Sequence, residues 1–160
     1  MTTIHLQTLV QAPVERCFDL SRSIDLHQSS MQHTNEKAIA GRQTGLIEQG
    51  ESVTWEATHF FVKQNLSSII SKMERPYYFI DEMTKGAFKS MWHKHTFQSR
   101  NDSTLMVDEF RYEAPFGFFG RVFNALVLKR YMIELLESRN KQIKKMAESE
   151  DWKKYLTGYK

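Results

Sequence analysis

The chain has 160 residues, enough for one domain with a substantial core and too few for two ordinary ones, which excludes a multidomain machine. Its 22 basic and 19 acidic residues leave a net charge of +3, and 41% apolar with 12% aromatic content marks a chain that folds rather than a disordered one. A single cysteine, Cys17, excludes an intramolecular disulfide and a cysteine-rich zinc site. With no basic-then-apolar leader and no apolar run approaching ~18 residues, a soluble cytoplasmic protein is expected.

Residues 3 to 12 alternate, with Ile4, Leu6 and Val10 on one face and His5, Gln7 and Leu9 on the other, which predicts a strand. Pro13 suits the start of a helix, where its missing N–H costs nothing, and Val14, Cys17, Phe18 and Leu20 recur at helical spacing until about Arg22. A second short helix follows over Ile24 to Met31. From Lys37 to Glu113 the pattern is one of strands divided by turn signals. Gly41 and Gly45 bracket a connection, and Val53 to Phe61 is rich in β-branched and aromatic residues. Leu66 to Met73 and Tyr77 to Met83 are separated by Pro76, and Lys85-Gly86 closes a tight turn into Phe88 to Phe97. A turn at 100 to 103 leads into Thr104 to Glu113. Connections this short predict antiparallel pairing.

After Pro115-Phe116-Gly117-Phe118-Phe119-Gly120 the period becomes helical for roughly 28 residues, about 40 Å of one long helix. Leu128, Met132, Leu135, Leu136, Ile143 and Met146 make one stripe along it, and Val122, Phe123, Leu126 and Ile133 add apolar surface on another side of its first half. The basic residues of its second half, Arg139, Lys141, Lys144 and Lys145, are interleaved with acids and indicate a solvated face, not a nucleic-acid footprint. Contact with a membrane is at most peripheral. Residues 149 to 160 are expected to be a peripheral tail on a core of about 3 to 148.

This order, together with Ala12 to Leu20, Val53 to Ala57, Gly86 to His95 with Phe97, Thr104 to Asp108 and Pro115-Phe116-Gly117, resembles the START-like superfamily, also called Bet v 1-like or polyketide cyclase/dehydrase-like. The segments look most like those of small bacterial single-domain members of largely unassigned function. The resemblance implies an α+β helix-grip fold over 1 to 160, with a curved antiparallel sheet wrapped around the long C-terminal helix and two short helices after the first strand. It also implies a cavity for an apolar molecule between sheet and helix. It does not imply one chemistry, since the fold hosts carriers, cyclases, dehydratases and interaction modules.

The residues themselves narrow the choice. His93 and His95 leave one face of a strand about 7 Å apart. Pairing across the turn at 100 to 103 sets Phe97 opposite Met106, His95 opposite Asp108 and His93 opposite Phe110. A histidine oriented by an aspartate is a general-base candidate; a structural pair or a solvent-facing histidine is the plainer alternative. Two histidines are too few for a zinc site, no nucleophile elbow is present, and Gly117-x-x-Gly120 lacks the rest of a phosphate loop, so neither metal nor cofactor is expected. The expected pocket lining is Trp55, His93, His95, Phe97, Asp108, Phe110, Tyr112, Phe116, Phe123 and Tyr131. The leading expectation is a carrier or sensor of a lipid or polycyclic molecule. A cofactor-free cyclase or dehydratase using His93, His95 and Asp108 is the second, and an interaction module with a collapsed cavity the third.

Overall fold

Seven strands form one antiparallel sheet in the order β1-β7-β6-β5-β4-β3-β2. They are β1 (Thr2–Val10), β2 (Lys37–Gly41), β3 (Ser52–His59), β4 (Val62–Glu74), β5 (Tyr78–Lys85), β6 (Ser90–Arg100) and β7 (Ser103–Glu113). The computed structural model describes residues 1–156. Between β1 and β2, which lie on opposite edges, the chain crosses through α1 (Val14–Ser21) and α2 (Ile24–Ser30). The Ser23 hydroxyl caps α2 by accepting the Leu26 N–H.

Register shifts in β2–β3 at Ala38/Ala40 and in β4–β5 at Ser67/Ser68 and Ile70/Lys72 add local twist, which bends the sheet into a trough. The two most extensive ladders are simpler. β6 pairs β7 with Phe97 opposite Met106, His95 opposite Asp108 and His93 opposite Phe110, the register expected from the turn. This is the helix-grip architecture, with the C-terminal helix lying along the trough.

That helix is not uniform. Where periodicity predicts one helix, the chain runs as α3 (Gly117–Phe123), a π turn (Asn124–Leu128) and α4 (Lys129–Ala147). Asn124 is held from outside the helix: its Oδ1 accepts the Tyr112 hydroxyl and its Nδ2 donates to Thr2 Oγ1 at 2.9 Å. The wider turn absorbs one extra residue, which offsets the helical phase by about 100°. The apolar residues before the turn therefore face a different side from the stripe after it. The bend into α3 depends on two glycines. Gly117 has φ +53, and a Cβ on Gly120 would stand 1.6 Å from the Pro115 carbonyl oxygen.

Two clusters make the core. One joins Phe18, Leu20, Leu26, Ile70, Phe79, Phe97, Ile143 and Ala147 at the closed end; the other joins Ile4, Met91, Phe110, Tyr112, Leu128 and Leu136. The expectation of a peripheral tail is corrected for its described part. Trp152 and Tyr155 pack on the first cluster, Leu156 is buried, and the Arg16 guanidinium lies 4.5 Å from the Trp152 ring centre. An aromatic pair in a short turn has enough apolar surface to dock without helical periodicity. Residues 157 to 160 lie outside the described part.

Candidate functional site

Period-two alternation turns Met91, His93, His95 and Phe97 of β6, and Met106, Asp108, Phe110 and Tyr112 of β7, toward the interior. Asp108 is directly opposite His95 and one step along from His93, so one carboxylate reaches both rings. Its Oδ1 lies 2.9 Å from His93 Nε2 and 2.9 Å from His95 Nδ1. An ionised carboxylate only accepts, so both imidazoles donate. Oδ2 accepts from Asn140 Nδ2 at 2.6 Å, which ties α4 to the sheet. The two imidazole centres are 3.7 Å apart, closer than the strand repeat, because both rings lean toward that single carboxylate. His95 also stacks on Phe79 at 4.3 Å.

Arg139 completes this layer. Its Nη2 donates to the Ser21 carbonyl at 2.9 Å and its Nη1 stands 3.9 Å from Asp108 Oδ1 without a hydrogen-bond partner. The expectation of a solvated face fails at this residue, which is 7% exposed. Arg139 lies three residues after Leu136 and four before Ile143, on the apolar stripe, and that phase was the readable signal of its burial. Facing it, Asp81 of β5 is paired with His93 in the ladder and has an unpartnered Oδ1.

Burial sets the charges here. Alone it would push the Asp108 carboxyl up, but the hydrogen bonds from His93 and His95 outweigh it and hold the group well below the usual carboxylate range. His95 is driven well below its ordinary value by burial, then by the electrostatic influence of neighbouring His93 and Arg139. Burial raises Asp81 and lowers Arg139. His95 is thus neutral near pH 7, with Nδ1–H spent on Asp108 and the Nε2 lone pair left over. Cys17, pushed up to about 11 chiefly by burial, is no nucleophile.

Sheet and helix do not close on each other above this layer. They enclose a cavity of about 790 Å³ bordered by Asp81, His93, His95 and Arg139 at its polar part and largely by Trp55, Ile70, Met91, Phe110, Met132 and Leu136 elsewhere. Phe60, Phe116, Phe119 and Phe123 border it and are also exposed, so the mouth lies between the β3–β4 turn and α3. Two further polar pairs sit on the wall: His27 with Glu36 at 2.7 Å, the imidazole lying against Trp55, and His59 with the Tyr131 hydroxyl at 2.8 Å.

Of the residues expected to line a pocket, Trp55, His93, His95, Phe110, Phe116, Phe123 and Tyr131 border the cavity. Phe97, Asp108 and Tyr112 do not, which corrects their expected place. The Phe97 ring packs edge-on against Phe18 at 5.3 Å, Asp108 stands behind the imidazoles it accepts from, and the Tyr112 hydroxyl is engaged by Asn124. Asp81, Arg139, His27 and Glu36 border the cavity without having been singled out in the sequence.

The donor atoms of His93, His95 and Asp108 lie within 4.8 Å of one another, a three-ligand arrangement in geometry. The guanidinium 3.9 Å from Asp108 opposes a second cation there, and the two imidazole N–H groups already occupy the carboxylate.

No protein-family model and no curated protein matches the sequence. Solved structures do match in three dimensions. A protein from Thermus thermophilus is similar at TM-score 0.70 and 16% identity, covering 89% of this chain and 97% of the other. A START superfamily protein from Mycobacterium smegmatis gives TM-score 0.68 at 12% identity over 91% of this chain and 97% of its own. The major latex-like protein 151 of Panax ginseng gives 0.67 at 12%, again over 91% and 97%. The chain therefore has the helix-grip fold of START and Bet v 1-like proteins. Among the described residues, no helix is long and apolar enough to cross a membrane.

Proposed function

We propose that the protein binds one apolar small molecule, of lipid or polycyclic shape, between the sheet and α4, as a carrier or sensor. The observation that carries this reading is the cavity of about 790 Å³, which lies inside the ~300 to 1,000 Å³ typical of small-molecule sites. Its walls are mainly apolar, so burial supplies affinity at roughly 25 cal/mol per Å² of apolar surface. The layer of Asp81, His93, His95 and Arg139 supports a guest with one hydrogen-bonding end, which those groups orient. A cavity of this size also weighs against an interaction module whose pocket has collapsed.

A second reading rests on one geometric fact. His95 is oriented by Asp108 and stands on the cavity wall, the arrangement of a general base that needs no cofactor. The fold then serves a cyclase or dehydratase.

Native mass spectrometry of freshly purified protein, followed by displacement of a fluorescent fatty-acid or polyaromatic probe, tests the premise common to both. Probe binding that disappears in Ala57→Trp, which fills the cavity, supports it. No binding by the wild type, or binding unchanged in that variant, overturns it. His95→Gln separates the two readings, since a carrier keeps most of its affinity and an enzyme loses turnover.

A further inference from the structure

The surface around the mouth has no explanation in the cavity itself. Phe61 is 103% exposed, Phe119 80%, Leu126 75% and Phe118 65%, values that belong to side chains standing free of the fold. They come from two separate elements, the β3–β4 turn and the α3–π segment, which meet where the Phe60 and Phe123 rings lie 5.5 Å apart. The result is one continuous apolar collar. Phe60, Phe61 and Phe116 hold this display with φ of 50, 63 and 67°, the left-handed region that bulky residues seldom adopt. Exposed apolar surface of this extent is unfavourable in water, so a second, less aqueous environment is called for.

The two segments that form the collar carry basic charges only. From Ala57 to Met73 and from Pro115 to Ile133 there is no aspartate or glutamate. Lys63, Arg121, Lys129 and Arg130 stand among the apolar side chains and are exposed. Lys63 pairs with Glu56 and Arg130 with Glu134, whereas Arg121 and Lys129 make no ion pair among the described residues.

We propose that this collar docks the protein on an anionic lipid bilayer, with Phe61, Phe118 and Leu126 in the boundary between headgroups and acyl chains and the basic residues against the phosphates. Aromatic and aliphatic side chains flanked by Lys and Arg are the composition that interfacial binding requires, and a collar at the cavity mouth turns that mouth toward the lipid. A second copy of the chain is a poor occupant. A two-fold contact brings the same patch against itself, gathering the Arg121 and Lys129 charges of both copies in one contact with no acid in either segment to pair them. The proposal extends the cavity reading without requiring the cavity to be filled, and the two fail separately.

Co-sedimentation with phosphatidylcholine vesicles, with and without phosphatidylglycerol, tests it at low and high salt. Wild-type protein should pellet with the anionic vesicles and less so as salt rises. Phe61→Ser combined with Phe118→Ser and Leu126→Ser should weaken this more than about tenfold, because all three leave the inserted surface. None of the three borders the cavity, so probe binding without vesicles should be unchanged. If the triple variant folds poorly, Phe61→Ser alone should still weaken vesicle binding. Arg121→Gln and Lys129→Gln should each cost roughly fivefold on anionic vesicles only. Absence of vesicle binding, equal binding by the triple variant, or a dimer that the triple variant dissociates overturns the proposal; the dimer would mean that the collar is covered by another copy. Vesicle binding without probe binding would retain it and remove the cavity reading instead.

Discussion

The two parts of the C-terminal helix differ in what they touch. Along α4, Leu136, Arg139, Asn140, Ile143 and Ala147 are buried, Lys144 Nζ donates to the Leu9 carbonyl at 2.6 Å, and Asn140 reaches the sheet at Asp108. Ahead of it, Gly117 to Val127 buries only Gly120 and exposes Phe118, Phe119 and Leu126. The π turn is the boundary. One helical run therefore does two jobs that a single face could not: α4 closes the trough and fixes the polar layer, while α3 leaves apolar surface uncovered at the entrance. Stability should concentrate on the α4 side of Asn124 and docking through the exposed collar on the other.

Asp108→Ala should produce the largest effect. It removes the acceptor of two imidazoles and of Asn140, and leaves the buried Arg139 guanidinium without its nearest carboxylate. Breaking a buried ionic partnership typically costs about 3 to 5 kcal/mol, a large part of a single domain's stability. Urea unfolding at neutral pH measures it, and a loss under about 1 kcal/mol would mean that α4 is not held through this layer. Next, Ile143→Ala deletes a side chain that is 2% exposed, and should cost about 2 to 5 kcal/mol by the same measurement.

Acid should loosen the α4 side. His95 has a folded pKa below its unfolded ~6.5, so below that pH the unfolded chain binds more protons and stability falls as pH drops. Asp108, also depressed, adds stability that is present above its unfolded ~3.9 and is lost as pH falls through its lower folded value. Asp81 acts the other way. Its raised pKa makes the folded state the better proton binder, so that contribution is lost as pH rises. Denaturation midpoints between pH 8 and 5 should therefore decline on acidification in the wild type and decline less in His95→Gln. Parallel curves would separate His95 from the acid response.

The sequence made the succession of strands along the chain and the β6–β7 register legible because alternation and a four-residue turn leave a strand little freedom; a slip of one residue would turn every inward side chain outward. That is why His95 opposite Asp108 could be read directly. Other features depended on contacts that periodicity does not encode. The π turn is held by Tyr112 and Thr2, which lie 12 and 122 residues from Asn124. Asp81 sits beside His93 only because β5 is the next strand over. Phe97 and Tyr112 share the inward face with His93 and still miss the cavity, since facing inward does not say where helix and sheet stop touching. Arg139 was the most readable of the omissions, being in phase with Leu136 and Ile143, and its charge hid it.

Leu126→Ala should have the smallest effect and bears most directly on the contrast between the two halves. Leu126 is 75% exposed, so truncation removes little buried apolar area, and leucine and alanine differ only slightly in helix preference. The unfolding free energy should change by no more than about 0.5 kcal/mol, as for surface substitutions generally. Truncation to alanine nearly five turns later, at Ile143, should cost several times more although both residues belong to one helical run. A loss at Leu126 comparable to that at Ile143 would mean that the π segment is packed in solution against something that covers the collar, and the division at Asn124 would then be one of partner rather than of function. A loss near zero sharpens the division: the side chain adds nothing to folding, which leaves binding as the process in which its apolar surface can count.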